Sequence, residues 1–267
     1  MKNAMWVVVV LVLGGIAAGY YYWQLQQVAP PPPVAEAPPP PAPPKPEPQI
    51  RHPIQPPATP GEKPLPSLGE SDAALAQALT GFFGEKRVVE FFDLKDIARR
   101  FVVTVDNLPR KKVPMRYRLF RPVAGQFQVA GADRDLTLKP ENYRRYTPYV
   151  LLAQAVDVKT LVATYVHFYP LFQEEYKELG YPKGYFNDRL VEAIDDMLAA
   201  PEVKQPIRLE RPNVLYQFYD PDLEALSAGQ KILIRMGPEN AARIKARLRE
   251  LRRELTGQVP EQKAGAG

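Results

Sequence analysis

The sequence predicts a mainly α-helical protein in three parts: a single-span transmembrane helix, a proline-rich linker, and one α-helical globular domain with a small β-hairpin element. Three observations support this. Residues 5–23 form a run of 19 residues without a charge, and 18 of the 39 residues from 28 to 66 are proline. After residue 66 the prolines are sparse, and helix-capping and helix-stopping residues recur.

The predicted boundaries follow these changes in composition. They are residues 1–4 for a short cytoplasmic tail, 5–23 for the anchor, 24–66 for the linker, 67–256 for the globular domain and 257–267 for a flexible tail.

The uncharged run has the length of a membrane span. As a helix, its residues extend about 28 Å, close to the thickness of a hydrocarbon core. Lys2 precedes the run and the next basic residue is Lys45, so the positive-inside rule puts the N-terminus in the cytoplasm. We therefore expect a single-pass protein of a bacterial inner membrane with a periplasmic C-terminal domain. The alternative is a cleaved signal peptide, against which the aromatic residues 20–23 count, because they suit a headgroup boundary.

The proline-rich segment has little material for a core. Its sizeable apolar residues are Val34, Ile50, Ile54 and Leu65. Proline favours extended polyproline II, in which residues 28–66 would reach about 120 Å. We interpret the segment as a semi-rigid spacer. A ligand for proline-reading domains is the alternative.

The globular domain reads as a series of helices with a minor β element. Ser71 and Gly84 bound the first helix, Asp157 caps a long one that Pro170 is expected to kink or break, and Gly237 ends another. The predicted helices cover residues 72–83, 93–108, 140–156, 158–179, 185–199, 221–236 and 238–255, with a hairpin at 127–138 and a pair of short strands within 206–220.

The amino-acid composition limits the kinds of chemical site that the chain can contain. The chain has no cysteine, which excludes disulfides, thiolate metal sites and cysteine nucleophiles. The two histidines provide few ligands for a metal site, and we predict no cofactor and no metal. A net charge of +5 over 267 residues does not indicate a nucleic-acid partner. His167 lies among aromatic residues and is interpreted as a hydrogen-bonded core residue.

Three carboxylates share one predicted helix face: Asp188, Glu192 and Asp195. Glycosidic acid–base chemistry needs two carboxyl groups across a cleft. A solvated helix face explains the spacing more simply, so no catalytic residue is assigned.

Candidate partner-binding residues come from polar runs of the domain. Residues 99–121 carry eight basic residues against one acid, a balance that suits anionic headgroups, an acidic envelope polymer, or the domain's own carboxylates. Within it, "VDNLPR" combines turn-forming residues with an arginine fork; a purely structural turn is the alternative. The final helix has a narrow apolar seam that docks on its own domain or on a partner helix. The full candidate set is Arg100, Asp106, Asn107, Arg110, Asn187, Asp188, Arg189 and Asn240.

Several long runs occur together in the domain: "RRFVVTVDNLPR", "NYRRYTPYV", "YPLFQEEYKELGYPKGYFNDRLVEAIDDML" and "DLEALSAGQKILIRMGPENAARIKARLRELR". In this combination and order the chain resembles the bacterial family called domain of unknown function 3014. The resemblance implies a proteobacterial, single-span envelope protein, and it implies no activity and no catalytic residue.

Together these observations predict a non-catalytic binding or scaffolding module that the spacer displays away from the membrane. Its partner would be another envelope protein or an anionic envelope polymer; the oligomeric state stays open. One alternative is an enzyme acting on peptidoglycan or another envelope polymer. A second is an accessory subunit of an inner-membrane complex, assembled through the transmembrane helix.

Overall fold

The structure is a computed structural model that describes residues 23–24, 49–54, 64–132 and 135–257. The chain divides into two compact units, Met1–Pro46 and Glu47–Gly267, and the description below concerns the second. The predicted span at 5–23 lies outside the described residues, apart from Trp23. Residues 25–48 and 55–63 of the predicted linker and residues 258–267 of the predicted tail also lie outside them. No single described helix is both long and apolar enough to cross a membrane. The helices Glu141–Gln154 and Val158–Glu178 together have the required length and apolar composition, but the pair is bent by 77°.

The second unit is mainly helical with a small antiparallel sheet, as predicted. Two 3₁₀ turns, Leu68–Glu70 and Met115–Tyr117, accompany the regular elements. The α-helices of the described residues are α1 (Asp72–Phe83), α2 (Glu85–Phe91), α3 (Ile97–Asn107), α4 (Glu141–Gln154), α5 (Val158–Glu178), α6 (Phe186–Leu198), α7 (Pro221–Glu224), α8 (Ala228–Arg235) and α9 (Pro238–Gly257). The strands are β1 (Val129–Ala130), β2 (Leu136–Leu138), β3 (Arg208–Glu210) and β4 (Gln217–Phe218).

The sheet joins two predicted β elements. The hairpin is confirmed, with Val129 opposite Leu138 in antiparallel β1 and β2, and Gly131 adopts φ 85° where the turn begins. The two short strands are also confirmed as the antiparallel pair β3 and β4. The sequence did not predict that β2 pairs with β3, which gives one sheet in the order β1-β2-β3-β4.

The main core lies where α3 packs against α5 and α6. Of the β-branched residues that weakened the prediction of this helix, Val102 and Val105 are buried in this core, and Val102 is fully covered. Helix α9 packs across α4, α5, α6 and α8. Its seam residues Leu248, Leu251 and Leu255 contact the main core, so the seam docks on its own domain.

Capping explains two differences from the predicted helices. Helix α3 begins at Ile97, four residues later than predicted, because the Asp72 carboxylate accepts the N–H groups of Asp96 and Ile97 at 2.8 and 2.7 Å. The single helix predicted at 221–236 is two helices. Ser227 and Gln230 form a capping box that starts α8 anew.

Two further differences concern α2 and α5. Helix α2 was not predicted. Pro170 was expected to kink or break its helix; α5 is continuous through Pro170, so the helix is not broken there. Proline removes one backbone hydrogen bond, while the neighbouring Tyr169, Leu171 and Phe172 are buried in the main core and hold the helix on both sides.

Candidate functional site

An ion cluster around the buried Asp106 carboxylate connects the end of α3 to α6. The Asp106 carboxylate, only 4% exposed, lies 3.0 Å from Arg189 Nε and 2.9 Å from an Arg110 guanidinium nitrogen. Tyr181 Oη donates to Asp106 Oδ2 at 3.4 Å and accepts from Arg110 at 2.5 Å. Arg189 also donates to the Asp106 carbonyl and pairs with Glu192 at 2.8 Å.

The cluster compensates an unfavourable position for a carboxylate. Asp106 lies in the last turn of α3, where the helix dipole disfavours negative charge. The two guanidinium groups offset both the dipole and the burial. Burial opposes the charge of Arg110, but the contacts with Tyr181 and Asp106 outweigh it and raise the pKa of Arg110. The arrangement is a closed ion pair network whose groups neutralise one another.

The loop after Asp106 holds the start of α8. The Leu108 and Arg110 carbonyls accept from the N–H groups of Gly229 and Ala228 at 2.9 and 2.6 Å. These are first-turn groups of α8 that lack partners within their own helix. Asn107 donates from Nδ2 to the Val103 carbonyl at 2.8 Å. The "VDNLPR" run thus joins α3, α6 and α8.

The first turn of α6 holds a segment of the predicted linker, residues 51–54, which we call the strap. The N–H groups of Arg51 and His52 donate to the two oxygens of Asp188 at 3.0 and 2.7 Å. Asn187 Nδ2 donates to the His52 carbonyl at 2.9 Å. The Ile54 N–H donates to Tyr185 Oη at 2.6 Å. Two of the candidate residues therefore bind backbone of their own chain.

The strap differs from the coreless segment that its proline content indicates. Ile54 is 7% exposed and belongs to the main core, whereas Ile50 is 56% exposed. Asn187 is fully buried, and its Oδ1 accepts from Tyr165 Oη at 3.1 Å. Its carboxamide is thereby oriented with Nδ2 towards the strap. The buried side chain of Ile54 and the hydrogen bonds from Tyr185, Asn187 and Asp188 hold the strap on the domain.

Arg100 holds backbone together on another part of the domain. Its guanidinium donates to the carbonyls of Lys95, Arg116 and Arg118 at 2.5, 2.9 and 3.1 Å, and it pairs with Asp93 at 3.0 Å. Since Arg100 precedes Asp106 by six residues, it lies about 9 Å from it along the helix axis. It is not a member of the ion cluster.

Asn240, the last candidate residue, lies in the first turn of α9. Its amide group donates to the Tyr143 carbonyl at 2.8 Å and the Met236 carbonyl at 3.0 Å. It fastens α9 to α4 and to the end of α8. The structure therefore brings together Asp106, Asn107, Arg110, Asn187, Asp188 and Arg189, and it places Arg100 and Asn240 elsewhere.

The carboxylates of α6 serve three separate contacts. Asp188 binds the strap, Glu192 pairs with Arg189, and Asp195 receives a two-pronged contact from Arg252 at 2.5 and 3.1 Å. They do not face one another across a cleft. His167 lies edge-on to Phe168, with ring centroids 4.7 Å apart. Among the described residues, no group of three or more His, Asp or Glu is placed to hold a metal ion.

Two tyrosines of the site were missed from the sequence. Tyr181 and Tyr185 flank the turn between α5 and α6 and place their hydroxyls on the ion cluster and on the strap respectively. Tyr176 stacks on Tyr181 at 4.5 Å between ring centroids, and burial raises the pKa of Tyr176 to about 12. The sequence signal for them was "YPKGY", a short turn between two predicted helices with a tyrosine at each end.

A family model described as "Protein of unknown function (DUF3014)" matches residues 97–252. This range begins with α3 and ends within α9, so it contains the ion cluster and the residues that grip the strap, but not the strap itself. No curated protein and no solved structure matches the chain.

Proposed function

We propose that this chain, which belongs to the DUF3014 family of proteins of unknown function, is a tethered binding module. In this proposal residues 5–23 anchor it in a bacterial inner membrane, the linker displays the globular domain in the periplasm, and the domain binds an envelope partner without catalysing a reaction.

The strap is the observation that carries the proposal. Four hydrogen bonds and a buried isoleucine hold residues 51–54 on the first turn of α6. A connection that served only to join two parts of a chain would need no such attachment. A gripped linker leaves the domain surface at a defined point, which is useful where the position of the domain matters.

The strap also sets the reach of the linker. With residues 51–54 held, residues 24–50 remain as spacer, about 84 Å in fully extended polyproline II. Released up to residue 66, the spacer would extend to about 133 Å. Either length displays the domain well beyond the headgroup region of a bilayer, whose total thickness is about 40–45 Å.

The chemistry of the ion cluster supports a binding role over a catalytic one. Asp106 is held by two guanidinium groups and a tyrosine hydroxyl. Asp188 is held by two backbone N–H groups. A general acid or base must exchange a proton with a substrate, whereas the oxygens of these carboxylates are already occupied by contacts within the fold.

Crosslinking in cells tests the function. A photoreactive residue at Lys112 or Arg249, two exposed positions, should give an adduct with an envelope partner. We expect the adduct to disappear when residues 28–46 are deleted and to persist when they are replaced by a Gly/Ser segment of equal length, because reach is then kept. An unchanged adduct with the deleted linker would contradict the proposal, as would turnover of isolated sacculi by the purified chain.

Topology is tested separately. Protease added to spheroplasts should digest the domain without lysis if the domain is periplasmic. A protected domain, or a mature chain that lacks its first residues, would refute the anchored arrangement.

Limited proteolysis tests the strap itself. Ile54→Ala should speed tryptic cleavage of the Arg51–His52 bond in the full-length chain, because the buried side chain that holds the strap is truncated. Ile50→Ala is the matched control and should leave the rate of cleavage unchanged. Equal rates in the two variants would show that the strap is not held in solution.

A further inference from the structure

We propose that a basic cleft beside the start of α3 binds phosphate groups of an anionic ligand. The basic cleft lies between the turn that precedes α3 and the 3₁₀ turn at Met115–Tyr117, with a volume of about 250 Å³; it is lined by Lys95, Asp96, Arg99, Arg100, Arg116 and Tyr117. The inference deepens the proposed function, on which it rests only for the compartment in which the ligand is met.

Most basic residues of the segment 99–121 are used to hold the fold. Their side-chain nitrogens donate to backbone carbonyls or to acids of the same domain. This group consists of Arg100, Arg110, Lys111, Arg118 and Arg121. The overall basic charge of the segment therefore does not by itself define a site, and the residues outside this group decide where an anion can bind.

Arg99 and Arg116 meet at one aromatic ring. Their guanidinium carbons lie 5.2 and 5.5 Å from the centroid of Tyr117. Stacking on a ring orients a guanidinium group through its π face and leaves its N–H edge available for bidentate contact with a phosphate. Lys95 adds an exposed ammonium at the same cleft.

Asp93 pairs with Arg100 at 3.0 Å, but the local acids do not neutralise the other cations of the cleft. Arg99 Nε is 3.8 Å from Glu175 Oε1, which is beyond hydrogen-bond distance, and the Arg99 side chain remains 46% exposed. Asp96 is the one carboxylate among the cleft-lining residues, against four cationic side chains. Cations that converge in a cleft focus a positive potential there. An anionic group placed among these cations would relieve their mutual repulsion.

The dimensions and wall of the cleft define the class of ligand. Pockets for drug-sized molecules measure about 300–1,000 Å³, so this cleft suits a single charged group or one unit of a chain. Arg100, whose donors are taken by backbone carbonyls, forms a fixed part of its wall. Arginine pairs supply planar, two-pronged recognition of phosphate. A phosphate carried on a polymer or on a headgroup meets these requirements.

Calorimetric titration of the full-length chain in neutral detergent tests the site. The probes are tripolyphosphate, which offers terminal phosphates, and glycerophosphoglycerol, the deacylated phosphodiester headgroup. We expect Arg99→Gln/Arg116→Gln to weaken binding by about 10-fold or more, because charge-assisted hydrogen bonds to the phosphate are lost. Lys95→Gln should weaken it in the same direction by less.

Arg249→Gln/Arg253→Gln is the matched control, because it removes two exposed arginines of α9 and changes the net charge equally. It should alter the affinity by less than about 2-fold, since distant surface charges are screened. Either probe that loses affinity in the cleft variant alone supports the site, and the tighter probe identifies the source of phosphate.

No binding of either probe, or equal loss in both double variants, would overturn the proposal. The titration uses purified chain and is independent of topology. A failed spheroplast or crosslinking experiment would therefore leave this site standing, and a failed titration would leave the tether standing.

Discussion

Arg189 Nε lies 3.0 Å from Asp106 Oδ1, and this ion pair joins the last turn of α3 to the first turn of α6. The residue before Arg189 is Asp188, which holds the strap. Adjacent residues of one helical turn thus bind the interior of the domain on one side and the end of the linker on the other. The turn that grips the linker is thus fastened to the interior through Asp106, whose carboxylate also contacts Arg110 and Tyr181.

Removal of the Asp106 carboxylate should strongly destabilise the domain. In Asp106→Ala the guanidinium of Arg189, whose side chain is 14% exposed, would lose its buried counter-charge. Breaking a buried pair from one side costs about 3–5 kcal/mol. Urea unfolding of the full-length chain, followed by circular dichroism, measures the free energy of unfolding.

Glu192→Gln is the control for this variant. It removes the other carboxylate that pairs with Arg189, but the Glu192 side chain is 51% exposed. Exposed pairs contribute about 0–1 kcal/mol. Similar losses in the two variants would mean that the cluster is not organised around Asp106.

Ser227→Ala should lower the free energy of unfolding by about 1–2 kcal/mol. Ser227 Oγ accepts from the Gln230 N–H at 3.0 Å and donates to Asp196 Oδ2 at 2.6 Å, so it both starts α8 and fastens it to α6. Ser67→Ala is the control, because Ser67 precedes a 3₁₀ turn without a side-chain cap. We expect the control to change stability by less than about 0.5 kcal/mol; a comparable loss there would contradict the role given to the capping box.

Local signals predicted most of the helices. Asp157 accepts from the Thr160 N–H at 3.1 Å, and Gly84 and Gly237 adopt φ 77° and 83° where helices end. These signals lie within a few residues of the feature they define. The division of 221–236 into two helices was also visible in principle, because Ser227 and Gln230 have the spacing of a capping box.

Contacts between distant residues account for what the sequence did not show. The start of α3 depends on Asp72, which belongs to another helix. The spacing of Asp106 and Arg110 indicates a possible pair, but Arg189 is 83 residues away from Asp106. The burial of Ile54 depends on the fold around it. The proline-rich composition of the linker does not indicate that Ile54 is buried.

Gly237→Ala should be more disruptive than Gly84→Ala, although both glycines have positive φ. A positive φ costs a non-glycine residue about 1–2 kcal/mol in the left-handed region, and up to about 3 kcal/mol where ψ is 151°, as at Gly84. At Gly237 a Cβ would also lie 2.5 Å from Tyr143 Cγ, whereas at Gly84 it would meet no atom within 4 Å. We expect Gly237→Ala to lose about 2–5 kcal/mol, since overpacking adds about 1–3 kcal/mol to the backbone strain. Equal losses in urea unfolding would show that the ring of Tyr143 moves aside.

Glu175→Gln should stabilise the domain at neutral pH. Burial raises the pKa of Glu175, Arg99 lowers it in part, and Oε1 has no hydrogen-bond partner among the described residues. Because the folded-state pKa is above the unfolded value of 4.5, the folded chain binds more protons between the two values. The free energy of unfolding of the parent chain therefore falls as the pH rises through that interval.

The glutamine variant lacks this contribution to the pH dependence. Its gain in stability should be absent near pH 4, grow as the pH rises above 4.5, and reach about 1 kcal/mol, or about 2–4 °C in Tm, at pH 7.5. Glu174→Gln removes the same charge from the exposed neighbouring position and should shift stability by less than about 0.5 kcal/mol. Thermal unfolding of the three chains between pH 4 and pH 8 measures the difference. A loss of stability in Glu175→Gln at pH 7.5 would mean that the attraction to Arg99 outweighs the burial of the carboxylate.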